Sequence, residues 1–147
     1  MAIKNKTLTT FLACGLGALG AHRFYLKGWS DVWGWLHIAA SLLGLLGFIR
    51  VFQLGQDDRV AWLLAPCLGL TLVSGCLAAL VYGLSSCAAW NQCHNPSVEP
   101  EHAAGRSNGV TIFIVVVALL VGATALMSVI AFAGQRYFEY VAHPTSS

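Results

Sequence analysis

GLGALGAHRFYLKGW, residues 15–29, decides the fold. Whether the chain has crossed a membrane before it reaches His22 and Arg23 sets the side on which every later segment lies. The first six residues have the G-x-G-x-x-G spacing that cradles a dinucleotide pyrophosphate, but that fingerprint needs a preceding strand, a following soluble helix and an acid about 20 positions on. Gly15 instead follows a lysine-flanked apolar run, and Gly20 leads through a short basic-aromatic link into a long apolar stretch. No nucleotide is expected. Gly15, Gly17 and Gly20 read as small residues that let the first helix approach a neighbour closely, delivering His22 and Arg23 to a membrane surface.

Composition carries the same message. Of the 147 residues 57% are hydrophobic and only 10% charged, where soluble domains carry about a quarter charged residues; mean hydropathy is +0.70. A net charge of +2, spread evenly, offers no footprint for nucleic acid. Residues 32–54, 60–83 and 110–133 are apolar runs of the length, roughly 20 residues, that a helix needs to cross a bilayer. Residues 7–21 are apolar too, but at about 1.5 Å per residue they reach only roughly 22 Å.

That first segment admits four readings. Lys4 and Lys6 before a short apolar run ending in Ala18, Gly20 and Ala21 resemble a secretory signal peptide, and Cys14 admits a lipoprotein variant of it. A re-entrant half-crossing is the third. The fourth, favoured here, is a short Gly-rich span that draws in Phe24, Tyr25 and Leu26 and extends over about residues 7–25. The expected fold is then an all-α integral membrane protein, a bundle of four transmembrane helices: a hairpin within residues 1–54 and a second helical pair within 55–147, joined by a polar loop, 84–108, and ended by a short C-terminal tail. Both termini share a side with Lys4, Lys6, Arg50, Arg59 and Arg136, so the positive-inside rule puts them in the cytoplasm and the 84–108 loop in the periplasm. The orientation flips if residues 7–21 do not cross, because Lys4 and Lys6 then join Arg23, Lys27 and Arg106.

Cys87 and Cys93 in the polar loop are candidates for a disulfide in an oxidising compartment, with two free thiols as the alternative. A zinc site from Cys87, Cys93, His94 and His102 fits no strong spacing template, so no metal and no cofactor are expected. Trp29, Trp33, Trp35, Tyr82, Trp90 and Phe113 at one face, with Trp62, Tyr137 and Tyr140 at the other, read as interfacial belts. Thr71, Gly75, Ala79 and Gly83, four residues apart, form a groove for another helix backbone, within the bundle or in a homo-oligomer. His37 and Arg50 are the intramembrane polar candidates, His37 as a buried, wet or interfacial group and Arg50 as a snorkelling side chain. Asp57, Asp58 and Arg59 fit a solvated turn. No paired carboxylates or nucleophile-base set is visible, so an enzyme is not expected.

From Lys4 to Leu54 the chain resembles the TM-two domain family, including its bacterial NINE-protein members. Lys4, Lys6, the run Gly15, Gly17 and Gly20, then His22-Arg23-Phe24-Tyr25-Leu26 and Gly28, and a second apolar helix carry the likeness. His22 stands at the first position of the family's Asp-Arg-Phe signature, and Arg50 stands where the family often carries an acid. The resemblance implies an integral inner-membrane protein with a helical hairpin and supplies no reaction. The expected function is a non-enzymatic membrane protein whose hairpin and His-Arg-Phe-Tyr link contact a partner protein or anionic lipid headgroups. The alternatives are a small oligomeric channel or transporter with His37 on its path, and an immunity-type protein that neutralises a membrane-active toxin.

Overall fold

The computed structural model describes residues 3–55 and 58–142; Asp57 of the expected solvated turn lies outside them. The described residues are helices and connecting turns. Helix α1 (Lys6–Leu16) runs into a 3-10 turn (Gly17–Leu19), followed by α2 (Ala21–Lys27), α3 (Val32–Leu54), α4 (Arg59–Leu84), α5 (Cys87–His94), a second 3-10 turn (Ala103–Gly105) and α6 (Gly109–Ala142). Helices α3, α4 and α6 are long and apolar enough to cross a membrane. Each of α3, α4 and α5 opens on a side chain that accepts from its first turn: Asp31 from Gly34 N, Asp58 from Val60 N and Ser86 from Ala89 N. The two later runs end further out than the sequence suggests, and α6 continues as helix to Ala142, through most of the expected tail.

The first segment is the main correction. It does not make a fourth crossing; it folds back. Gly20 takes a left-handed conformation, φ 70°, which costs a residue with a Cβ about 1–2 kcal/mol, and here the chain reverses. By Tyr25 it has returned to its start: Lys4 Nζ donates to Tyr25 O at 2.6 Å and Asn5 N donates to Tyr25 Oη at 3.1 Å. Beside α4, Lys6 Nζ donates to Ser85 O and Gly17 abuts Gly75, so α1 descends about half of α4 and α2 climbs back. The expected four-helix bundle becomes three long helices and a hairpin that folds back beside α4. The two ends of the described chain consequently lie at opposite ends of the bundle, Lys4 near Asn95 and Arg59 near Tyr140, rather than on one side.

Polar groups anchor this hairpin where an apolar helix would need none. Lys6 is fully buried, and its ammonium donates to Ser85 O and to Ser107 Oγ at 2.7 Å. Thr7 and Thr111 share a hydroxyl hydrogen bond of 2.8 Å. Asn95 pairs with the Lys4 peptide in both directions, at 2.7 and 3.0 Å, and Trp90 Nε1 donates to the same carbonyl. Trp90, expected in an interfacial belt, is 1% exposed and plugs the hairpin's mouth. At the opposite end of the hairpin, the non-helical tip needs its freed carbonyls satisfied, and Ser41 Oγ donates to Ala18 O at 2.7 Å while pairing with Thr71 Oγ1 at 2.9 Å.

Small residues set the helix spacings. A Cβ on Gly17 would lie 2.5 Å from the Gly75 Cα, backbone against backbone. Ala13, Cys76, Ala79 and Ala118 form the core between α1, α4 and α6, Gly83 faces Val115 and Thr10, and Thr71 holds Ser41. Gly44 and Gly47 abut Leu68 and Ala65 across the α3–α4 seam. Gly15 does not belong to this set: nothing approaches it, because residues two apart on a helix point to nearly opposite sides and Gly17 takes the contact.

Candidate functional site

The link from His22 to Gly28 forms α2 and the turn into α3. Gly28, φ 83° and ψ −180°, lies where only glycine is comfortable, and its N–H closes α2 on Phe24 O at 2.8 Å. Arg23 reaches across the turn to Asp31 with two hydrogen bonds, Nε to Oδ2 at 2.6 Å and Nη2 to Oδ1 at 3.2 Å. Asp31 Oδ2 also accepts from Gly34 N at 3.0 Å. The Arg23 hydrogen bond holds the Asp31 carboxyl below its ordinary pKa. Arg23 is thus committed within the chain as a clamp on the turn.

What the clamp displays is aromatic. Phe24 stacks on Trp29 with ring centres 5.1 Å apart and meets Trp35 edge-on at 5.6 Å, and Trp35 Nε1 donates to Trp29 O at 2.9 Å. Trp29 is 74% exposed, Trp33 60%, and Lys27 is exposed beside them. Tyr25 faces the other way, its ring under the Lys4 ammonium at 4.8 Å. Leu26 is half-buried. The seven-residue motif therefore packs His22, Arg23, Tyr25 and the half-buried Phe24, whose ring lies over Gly34, and turns Lys27 outward.

His22 is 2% exposed and sits between the rings of His37 at 6.0 Å and Tyr82 at 5.8 Å. Its Nδ1 makes no hydrogen bond. His37 Nδ1 donates to Trp33 O at 2.8 Å, which leaves Nε2 to accept from Ser74 Oγ at 3.1 Å. Both nitrogens are engaged in the α3–α4 seam. Arg50, at the other end of α3, is not a free snorkelling side chain: its Nε donates to Asp58 Oδ2 at 2.6 Å. About 20 Å of helix separates the two, so His37 and Arg50 form no common site.

Cys87 and Cys93 are both free thiols. They fall on α5 six residues apart, which sets them roughly 9 Å apart along the axis, beyond the reach of a disulfide. Cys87 Sγ donates instead to His102 O at 3.3 Å, and His102 Nδ1 accepts from Ala104 N. His94 stacks on Trp90 with ring centres 4.1 Å apart, and burial lowers its pKa. Among the described residues no three His, Cys, Asp or Glu side chains gather as metal ligands.

The sequence reading missed Asp31 and took Asp58 only for part of a solvated turn, and a signal for the role of both exists. Arg23, Gly28 and Asp31 recur as Arg50, Gly55 and Asp58, each 27 positions on. The two turns share their geometry. Gly55 has φ 88° and ψ 178° and closes α3 on Val51 O, and each aspartate both caps the next helix and takes an arginine Nε at 2.6 Å. The register extends backwards through Gly17 and Gly20, which match Gly44 and Gly47, and forwards through Trp35 and Leu36, which match Trp62 and Leu63. Residues 13–36 and 40–63 are two versions of one helix-turn-helix pattern.

Compared with known proteins, the chain matches no family model, no curated protein and no solved structure.

Proposed function

We propose that this chain is a non-enzymatic, multi-pass protein of the cell inner membrane that docks a membrane partner protein on the α2–α3 turn. One observation supports the reading above the others: Trp29, Trp33 and Trp35 are exposed together with Lys27, Trp29 and Trp35 rest on the half-buried Phe24 ring, and the Arg23–Asp31 clamp fixes the turn that carries them. Pre-ordered aromatic surface loses little conformational entropy on docking. Arg23 acts here through the shape of the turn rather than by touching the partner. Kinship with the TM-two domain family belongs to the same proposal and rests on His22 to Gly28 and the preceding glycines.

The orientation follows from the re-entrant hairpin. With Lys4 and Lys6 returned to the side of Arg23, Lys27 and Arg106, that end carries five of the eight basic residues and the other carries Arg50, Arg59 and Arg136. The positive-inside rule then places the turn, and α5 with it, in the cytoplasm and the end of α6 outside, the reverse of the four-span assignment. A membrane-impermeant maleimide added to intact cells should leave the exposed Cys93 unlabelled; labelling there would reverse the orientation again.

The docking reading is tested by mild-detergent extraction of a tagged chain, with identification of the proteins retained and measurement of native mass. A specific second protein should be recovered, and Trp33→Ala combined with Lys27→Glu should lose it at unchanged expression. Recovery of the chain alone would rule the reading out, and retention limited to anionic phospholipid would move the surface from protein to headgroup contact.

A further inference from the structure

His22 occupies the joint between the hairpin and the two helices it folds against. It follows the left-handed Gly20, where the chain reverses, by two residues, and at 2% exposure it is sealed from solvent. Its ring meets His37 of α3 edge-on at 6.0 Å and Tyr82 of α4 at 5.8 Å. Gly20 itself lies against α3, where a Cβ would come within 2.9 Å of Gly34 O, so the pivot is seated on that helix. The charged groups that face the ring are Arg23 of its own helix and Asp31 of the following turn. Both Asp31 oxygens are taken: Oδ2 by Arg23 Nε and Gly34 N, Oδ1 by Arg23 Nη2. A protonated His22 would therefore find the carboxylate that faces it already paired, no acceptor for an Nδ1–H among the described residues, and a second imidazole beside it.

We propose that His22 is an acid-sensitive latch: neutral, it holds α2 in the joint between α3 and α4, and protonated it releases α2 from that joint with Gly20 as the hinge. The latch depends on the hairpin's packing alone and stands or falls separately from docking at the α2–α3 turn. Burial first, then His37 and Arg23, push the His22 pKa down from the ordinary 6.5 to about 4, against a smaller upward pull from Asp31. A solvated His22 takes its proton near the ordinary value, so the released form binds more protons than the packed form between those two values. Above pH 6.5 the ring is neutral in both forms and the latch is closed. Each unit of acidification below that multiplies the released population by up to about tenfold, until the packed ring is protonated too, at about 4. Asp31 and Asp58 stay ionised across this window, since their own values lie below the ordinary 3.8.

The test is hydrogen exchange of the full chain in mild detergent, read as the protection of residues 21–27 after correction for the intrinsic exchange rate. Wild-type protection there should fall about twentyfold between pH of about 7 and about 5, while that of residues 110–133 holds. In His22→Gln it should be level across the range, and in His37→Gln it should still fall. Level protection in the wild type, or an equal fall in His22→Gln, would overturn the latch, and so would a fall that only His37→Gln abolishes. Carbon-13 NMR of the wild-type histidine rings gives a second reading that needs no folded variant. The His22 ring should titrate well below the ordinary 6.5, and a midpoint at the ordinary value would overturn the proposal.

Discussion

Residues 6–27 and 33–54 follow one pattern and take two shapes. Both place two glycines three apart, then an arginine, then a left-handed glycine and an aspartate cap at the same spacing. The second copy is one unbroken helix, α3; the first breaks at Gly20 into α1, a 3-10 turn and α2. Glycine alone does not make the difference, since Gly47 occupies the matching position and is helical. The flanks do. The first copy begins with Lys4 and Lys6 and ends with His22, Arg23 and Lys27, where the second begins with Trp33 and has Ile49 and Leu54 against His22 and Lys27. A straight first helix would send Lys4 and Lys6 to the far end, away from Asn95, Ser85, Ser107 and Tyr25; the bend keeps all these cations at one end, with hydrogen-bond partners waiting.

The largest effect expected is from Gly17→Leu, which drives a side chain into the Gly75 backbone and should destabilise the fold by about 3 kcal/mol. The loss should appear as a lower melting temperature in detergent and faster alkylation of the half-buried Cys14. An unchanged melting temperature would mean that α1 does not seat on α4. Next comes Lys6→Met, which leaves Ser85 O and Ser107 Oγ without their donor, at roughly 1–3 kcal/mol. Trp33→Met, its counterpart in the second copy, should be nearly neutral, and equal losses at the two positions would deny the hairpin its polar anchor.

The two turns should respond alike. Gly28 and Gly55 have open space around them and positive φ with extended ψ, so Gly28→Ala and Gly55→Ala should each cost only the backbone strain of that glycine-only region, about 1–3 kcal/mol. Arg23→Ala and Arg50→Ala should each cost less than the glycine substitutions, because both pairs are partly solvated. Chemical-denaturation midpoints for the four variants provide the comparison; a twofold disparity within either pair would show that the shared pattern does not carry shared energetics. The smallest effect is that of acid on the two aspartates. Hydrogen bonds from Arg23 and Arg50 hold the Asp31 and Asp58 carboxyls below their ordinary values. Their contribution is therefore complete above pH of about 4 and fades as pH falls through the lowered values. Asp31→Asn and Asp58→Asn together should remove this acid sensitivity from the denaturation midpoint.

How much was legible follows from which forces are local. The runs at 32–54 and 60–83 could be read to within a residue of α3 and α4 because an apolar stretch of that length has few alternatives. The motif His22 to Gly28 was visible as a unit, yet its division into a clamp and an exposed aromatic stack was not, since Asp31 lies beyond the motif and was read as neither cap nor partner. Cys87 and Cys93 looked bridgeable only while residues 84–108 were taken for a loop; once α5 forms, helical rise separates them. Trp90 looked interfacial because nothing in its neighbourhood announces that Lys4, 86 positions earlier, will lie beneath its indole.

By itself the sequence determined an all-α chain with three segments long and apolar enough to cross a membrane, and it set the two Arg-Gly-Asp turns, whose groups lie within eight residues of one another. Only the tertiary structure decided the path of residues 6–27. Their apolar length lies near the threshold for crossing, so the balance passes to contacts no local pattern contains: Gly17 on Gly75, Lys6 on Ser85 and Ser107, Ser41 on Ala18. Those contacts turn a short fourth span into a hairpin that reaches about half of α4.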